Sequence, residues 1–175
     1  MTATDKLTLG GLLLALIILI CNLYPWYRGG RQMSKLAAFG KGLSGGVCAA
    51  MCPGGILGWA HSRSGTVGNG VGERTGTALT GTENTQGLTT GQLVGLGTTG
   101  AVIVVLVVLV VGLAYKEAGK TEAGKKDQRR IIGGAYVGST LCLTAGVAGV
   151  LSWLPGMFNA AGDGIVAFFQ GAGLL

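Results

Sequence analysis

Ala101 to Val111 reads AVIVVLVVLVV, an unbroken aliphatic run at the centre of the uncharged segment Leu93–Tyr115. A helix of a globular domain turns a polar face to water, so a helix that is apolar all round belongs in lipid. β-Branched residues form helices poorly in water, but a bilayer offers the backbone no other hydrogen-bond partner and overrides that preference. The segment is predicted to cross a membrane.

Composition agrees. Only 11% of the 175 residues are charged and the mean hydropathy is +0.55. A water-facing surface usually calls for about 25%. Lipid must therefore cover much of this chain.

Three further segments read as spans. Leu7 to Tyr24 carries no charge and is followed by Tyr24, Trp26 and Tyr27, where an interfacial aromatic belt belongs, with Pro25 ending the helix. Lys6 is offset by Asp5 and no small-residue cleavage site follows directly, so an uncleaved span is expected rather than a signal peptide. Gly42 to Ala60 is uncharged and places Gly42, Gly46, Ala50, Gly54 and Gly58 on one face at intervals of four. Such small-residue faces let helix backbones approach closely in lipid. Pro53 should kink this segment, and a re-entrant course is its rival. Ile131 to Leu154 repeats the pattern with Gly134, Gly138, Cys142 and Gly146, closed by Trp153 and Pro155.

The expected fold is an all-α membrane protein of about four transmembrane helices, arranged as two hairpins. Residues 1–60 form the first hairpin and 92–154 the second. Between them, 61–91 is rich in Gly and Thr, shows no amphipathic period, and reads as a flexible extracytoplasmic loop. The tail 155–175 is apolar and is expected to lie on the membrane or pack against the spans. Both hairpins run helix, short basic turn, glycine-striped helix, without visible residue identity.

Net charge is +6, and ten of the thirteen Lys and Arg lie near 25–41 and 116–130. They include Arg28, Arg31, Lys35 and Lys41 in the first turn and Lys116, Lys120, Lys125, Lys126, Arg129 and Arg130 in the second. The positive-inside rule places both turns in the cytoplasm, beside anionic lipid, and both termini outside. Phosphate contacts to nucleic acid are the alternative use of the same charges.

Signs of chemistry are few. The four spans hold no Asp, Glu, Lys, Arg or His, whereas membrane enzymes and ion-coupled transporters place ionisable groups there. His61 reads as an interfacial residue. Cys21, Cys48, Cys52 and Cys142 sit in apolar stretches without C-x-x-C spacing and read as packing residues. Gly40-Lys41-Gly42-Leu43-Ser44-Gly45 fits G-x-G-x-x-G but follows no strand. No catalytic, metal or cofactor site is expected.

Residues 92–154, an aliphatic helix, a basic turn and a glycine-rich helix, resemble the hairpin of conjugative (type IV secretion) pilins. In that reading Gly58-Trp59-Ala60 would serve as the site of leader removal. In size, glycine-rich spans and basic turns, the whole chain resembles the small multispan spread proteins of actinobacterial conjugative plasmids. Either resemblance implies a non-enzymatic subunit of a membrane assembly or pore in DNA transfer between cells. The rival class is a phage holin or other pore-forming lysis protein.

Overall fold

The computed structural model describes residues 6–30, 33–83 and 85–172, with Ser34, Lys35 and Ala123 described in backbone only. Seven α-helices are present, and β pairing among the described residues is limited to two isolated bridges. Two helices, α1 (Leu9–Arg28) and α4 (Thr98–Ala118), are long and apolar enough to cross a membrane. A third crossing arises if α2 (Met33–Met51) and α3 (Gly55–Thr80), which meet at 106°, form one broken span.

The first span is longer than expected, because Pro25 lies inside α1 rather than ending it. Proline removes only one N–H from the ladder. The helix continues to Arg28, where the Gly29 N–H closes it on the Pro25 carbonyl at 3.0 Å. The expected span 42–60 does not exist as one helix. Cys52–Gly54 break it, and residues 33–41, expected in the basic turn, belong to α2.

The expected flexible loop is corrected most. Residues up to Thr80 are helical in α3, buried along Gly65, Gly68, Gly72 and Gly76. Glycine is a poor helix former, but a stripe of it allows backbone contact that outweighs propensity. Between α3 and α4 the described residues run without helix, and the strand-like part pairs at both edges. Leu88 N–H donates to the Leu7 carbonyl (2.8 Å) and Gly91 N–H to the Leu143 carbonyl (2.9 Å).

The second hairpin also departs from expectation. The basic turn is tight. Gly119 and Lys120 link α4 to α5 (Glu122–Leu141), whose N-cap Thr121 accepts from Gly124 N–H at 3.1 Å. The expected span 131–154 breaks after Leu141 and resumes as the short α6 (Ala145–Val150). The tail is helical as α7 (Leu154–Gly171) and packs on α4.

The broadest helix contact joins α2 to α5, followed by α1 on α3 and α4 on α7. Each repeats in the other half of the chain. A methyl on Gly42 would strike the Ile131 carbonyl and one on Gly46 the Ala135 carbonyl. Reciprocally, Gly134 faces the Phe39 carbonyl and Gly138 that of Leu43. Gly134 and Gly138 stand 92 positions after Gly42 and Gly46, and each glycine touches the residue three before its partner. Such reciprocity is the mark of an isologous, two-fold contact.

The outer pairs obey the same relation. Asn69 on α3 receives the Thr8 N–H (2.8 Å) and donates to the Lys6 carbonyl (2.7 Å). Asn159 on α7 receives the Gly97 N–H (2.8 Å) and donates to the Gly95 carbonyl (2.8 Å). Thr8 and Gly97 are the N-caps of α1 and α4. Three residues beyond each asparagine, Gly72 faces the Gly10 carbonyl and Gly162 the Thr99 carbonyl. These contacts relate α1–α3 to α4–α7 by a pseudo-two-fold pattern about the α2–α5 contact, with α3 continuous where the second unit divides into α6 and α7.

Candidate functional site

Four of the glycines expected to mediate packing do so within the chain: Gly42, Gly46, Gly134 and Gly138 form the α2–α5 contact. Gly54 and Gly146 face open space. Gly58 approaches only the Cys52 carbonyl and the Pro53 backbone at the preceding break. Gly10, Gly72, Gly100 and Gly162 were missed. Gly72 lay in the expected loop and Gly162 in the tail, and the shared signal N-x-x-G followed by an acid (Asn69–Glu73, Asn159–Asp163) spans only five residues.

Of the basic residues, Arg31 and the side chain of Lys35 lie outside what is described. Arg28 is exposed and donates to the Tyr24 hydroxyl at 3.0 Å. Along the second turn, Lys120 pairs with Glu117 (2.6 Å), Lys125 with Glu122, and Arg130 with Asp127 (2.9 Å). The first two are exposed pairs that contribute little to stability and the third is half-buried; together they occupy half of the cluster. Lys116, Lys126 and Arg129 are exposed. All four cysteines are free thiols, and Cys48 and Cys142 belong to the core between the units.

The site that sequence reading missed is built on His61. The break at Cys52–Gly54 swings α3 across α5, which brings His61 Nδ1 to 2.8 Å from the buried hydroxyl of Ser139, 78 positions away. Ser64 lies 2.9 Å from the same hydroxyl and 2.7 Å from the His61 carbonyl. A carbonyl can only accept, so the Ser64 hydrogen goes to it. Ser139 must then donate to Ser64, and His61 must donate from Nδ1. This chain fixes the imidazole tautomer and leaves Nε2 with its lone pair free. Among the described residues Nε2 has no hydrogen-bond partner.

Two cavities share His61 as a lining residue. One, of about 450 Å³, is lined chiefly by apolar groups of α2 to α5, among them Ala49, Leu57, Val108, Val111 and Ile132. The other, of about 1010 Å³, lies beyond it and includes Lys6, the 90–96 segment and Leu143. The smaller cavity takes residues 45–49 of α2 and 131–139 of α5, and the larger takes 50–53 and 143. They are therefore stacked along the same helices, the smaller toward the basic turn. His61 is the one residue lining both.

No family model, no curated protein and no solved structure matches this chain.

Proposed function

We propose that the chain is a non-enzymatic integral membrane protein, oriented with both basic turns in the cytoplasm, that serves as a subunit of a membrane assembly. The observation that carries the orientation is the pseudo-two-fold relation. It makes α1 and α4 parallel, so that Arg28 and Lys116, at their C-terminal ends, fall on one side. Residues 81–91 return to the opposite end, where Leu9 N–H meets the Gln86 carbonyl at 2.9 Å. The outward side of α4, with Val102, Leu106, Leu109, Val110 and Leu113 exposed, suits lipid. The proton order at His61 supports a non-enzymatic role, because Ser139 receives a hydrogen from the imidazole, the reverse of what an activated serine nucleophile needs. The glycine stripes are used internally, so contact with other subunits falls to the outer faces of α4 and α7.

Single-cysteine variants in intact cells test this reading. Cysteine at Arg28 and at Lys120 should be shielded from a membrane-impermeant maleimide, and cysteine at Thr80 should be labelled. Labelling of only one of the two basic positions would overturn the parallel arrangement.

A role in conjugative DNA transfer extends the proposal through the unpaired charges Lys116, Lys126 and Arg129. Binding of duplex DNA by protein in nanodiscs without anionic lipid should weaken with salt at a slope near −0.9 per phosphate contact. Neutralising those three should flatten the slope by about 2–3 and neutralising the ion-paired Lys120 and Lys125 by less. Wild-type binding that ignores salt would remove the nucleic-acid role. The processed-pilin reading gains no support, because Gly58-Trp59-Ala60 lies in helical α3, and a protease requires an extended segment.

A further inference from the structure

We propose that the His61 junction is the head-group end of a binding site for a single-chain amphiphile with an anionic head, of the long-chain fatty acid class. The inference is independent of the DNA-transfer reading and rests on the two cavities and the residue that joins them.

The smaller cavity offers largely apolar walls, with His61, Ser64 and Ser139 hydrogen-bonded to one another on its lining and the phenols of Tyr115 and Tyr136 as its other polar groups. The apolar part of this lining favours hydrocarbon. The larger cavity is mixed in polarity, and Lys6 is its charged lining residue. Among the described residues, no acidic side chain lines either cavity. A single-chain amphiphile with its tail in the smaller cavity would place its head at His61, facing the larger one that Lys6 lines. The imidazole suits that position. Its free Nε2 accepts the hydrogen of a protonated carboxyl group or, once protonated, donates to a carboxylate. In both cases Nδ1 keeps its bond to Ser139.

The pseudo-symmetric positions at the other junction between the units provide an internal control. By the offset that relates Asn69 to Asn159, the equivalents of His61 and Ser64 are Leu151 and Leu154. By the offset that relates Gly46 to Gly138, the equivalent of Ser139 is Val47. All three equivalents are aliphatic and pack against the core. One junction is therefore apolar, where the chain turns between α6 and α7, and the other is polar, within the continuous α3. The polar set is thus confined to one junction, where it stands beside two cavities.

The test uses full-length protein in phosphatidylcholine nanodiscs, titrated with the fluorescent fatty acid cis-parinaric acid and competed with palmitate or hexadecanol. Saturable binding displaced by palmitate is expected. Gly112→Phe should weaken it at least about tenfold by filling the smaller cavity, a methyl there having nothing within 4 Å. Lys6→Gln should weaken palmitate about tenfold and leave hexadecanol unchanged, as loss of a charge-assisted contact requires. His61→Leu, which installs the residue of the equivalent position, should preserve thermal unfolding while weakening both competitors. Absence of saturable binding to the wild type would overturn the site. Binding unchanged in both Gly112→Phe and His61→Leu would overturn it equally. A Lys6→Gln variant that weakens acid and alcohol alike would overturn the anionic head.

Discussion

Alanine at Gly42, Gly46, Gly134 or Gly138 is expected to destabilise the protein by about 2–3 kcal/mol each, although it adds a single methyl group. At Gly46 that methyl would lie 2.7 Å from the Ser139 nitrogen, and at Gly134 it would lie 2.8 Å from the Leu43 nitrogen. These obstacles are backbone atoms of a packed helix and cannot swing aside as the end of a side chain would. The two helices must separate, and the loss spreads along the broadest contact in the fold. Gly40 and Gly112 lie in the same kind of helix with nothing within 4 Å of an added methyl. Alanine there should be neutral or stabilising by about 0.5–1 kcal/mol, through reduced freedom of the unfolded chain. Reversible unfolding by dodecyl sulfate in mixed micelles measures both sets. Equal tolerance of Gly46→Ala and Gly40→Ala would contradict the reciprocal α2–α5 contact.

Replacement of Asn69 by alanine should cost about 1–3 kcal/mol, the penalty for leaving buried polar groups without partners. Asn69 Oδ1 receives both the N–H and, at 3.1 Å, the hydroxyl of Thr8, which is itself the N-cap of α1. Without it, two donors at a site only 9% exposed lose their acceptor, and the Lys6 carbonyl loses its donor. Asn69→Asp should not rescue the variant, because a carboxylate oxygen would stand where the amide nitrogen meets the Lys6 carbonyl at 2.7 Å. Asn159→Ala breaks the equivalent pair of bonds at the start of α4, but those are exposed to water, which replaces them. Its cost should be the smaller of the two. Thermal unfolding of the three variants in the same detergent gives the ranking. An Asn159 variant less stable than the Asn69 variant would show that burial does not set the difference.

The two apolar helices were legible because hydropathy is a local property, and α1 and α4 lie within a few residues of the segments read as spans. The glycine faces of 42–46 and 134–138 were legible as packing surfaces because intervals of four fall on one side of any helix. Their mutual pairing was not, since spacing carries no information about the partner. Residues 61–80 misled for a definite reason. A helix whose contact surface is glycine has no hydrophobic periodicity, so a period sought in apolar side chains cannot reveal it. The break at Cys52–Gly54 had a local signal in Pro53, but its 106° angle depends on where α3 finds α1. His61 was unreadable as a site because its partner Ser139 is brought to it only by that bend. Equivalence between the units was hidden because it resides in carbonyls and N–H groups, which any residue supplies, and in one short N-x-x-G pattern.

A dimer of two identical polypeptides has no way to treat its halves differently: whatever one protomer presents at an interface, the other presents as well. Joining the halves in one chain lifts that obligation. Here Leu151 and Leu154 of the second unit with Val47 of the first occupy one junction between the units, where His61 and Ser64 of the first with Ser139 of the second occupy the other. Occupancy can therefore reach only one molecule per chain, and a titration that saturates at one equivalent would carry the stoichiometric signature of broken symmetry.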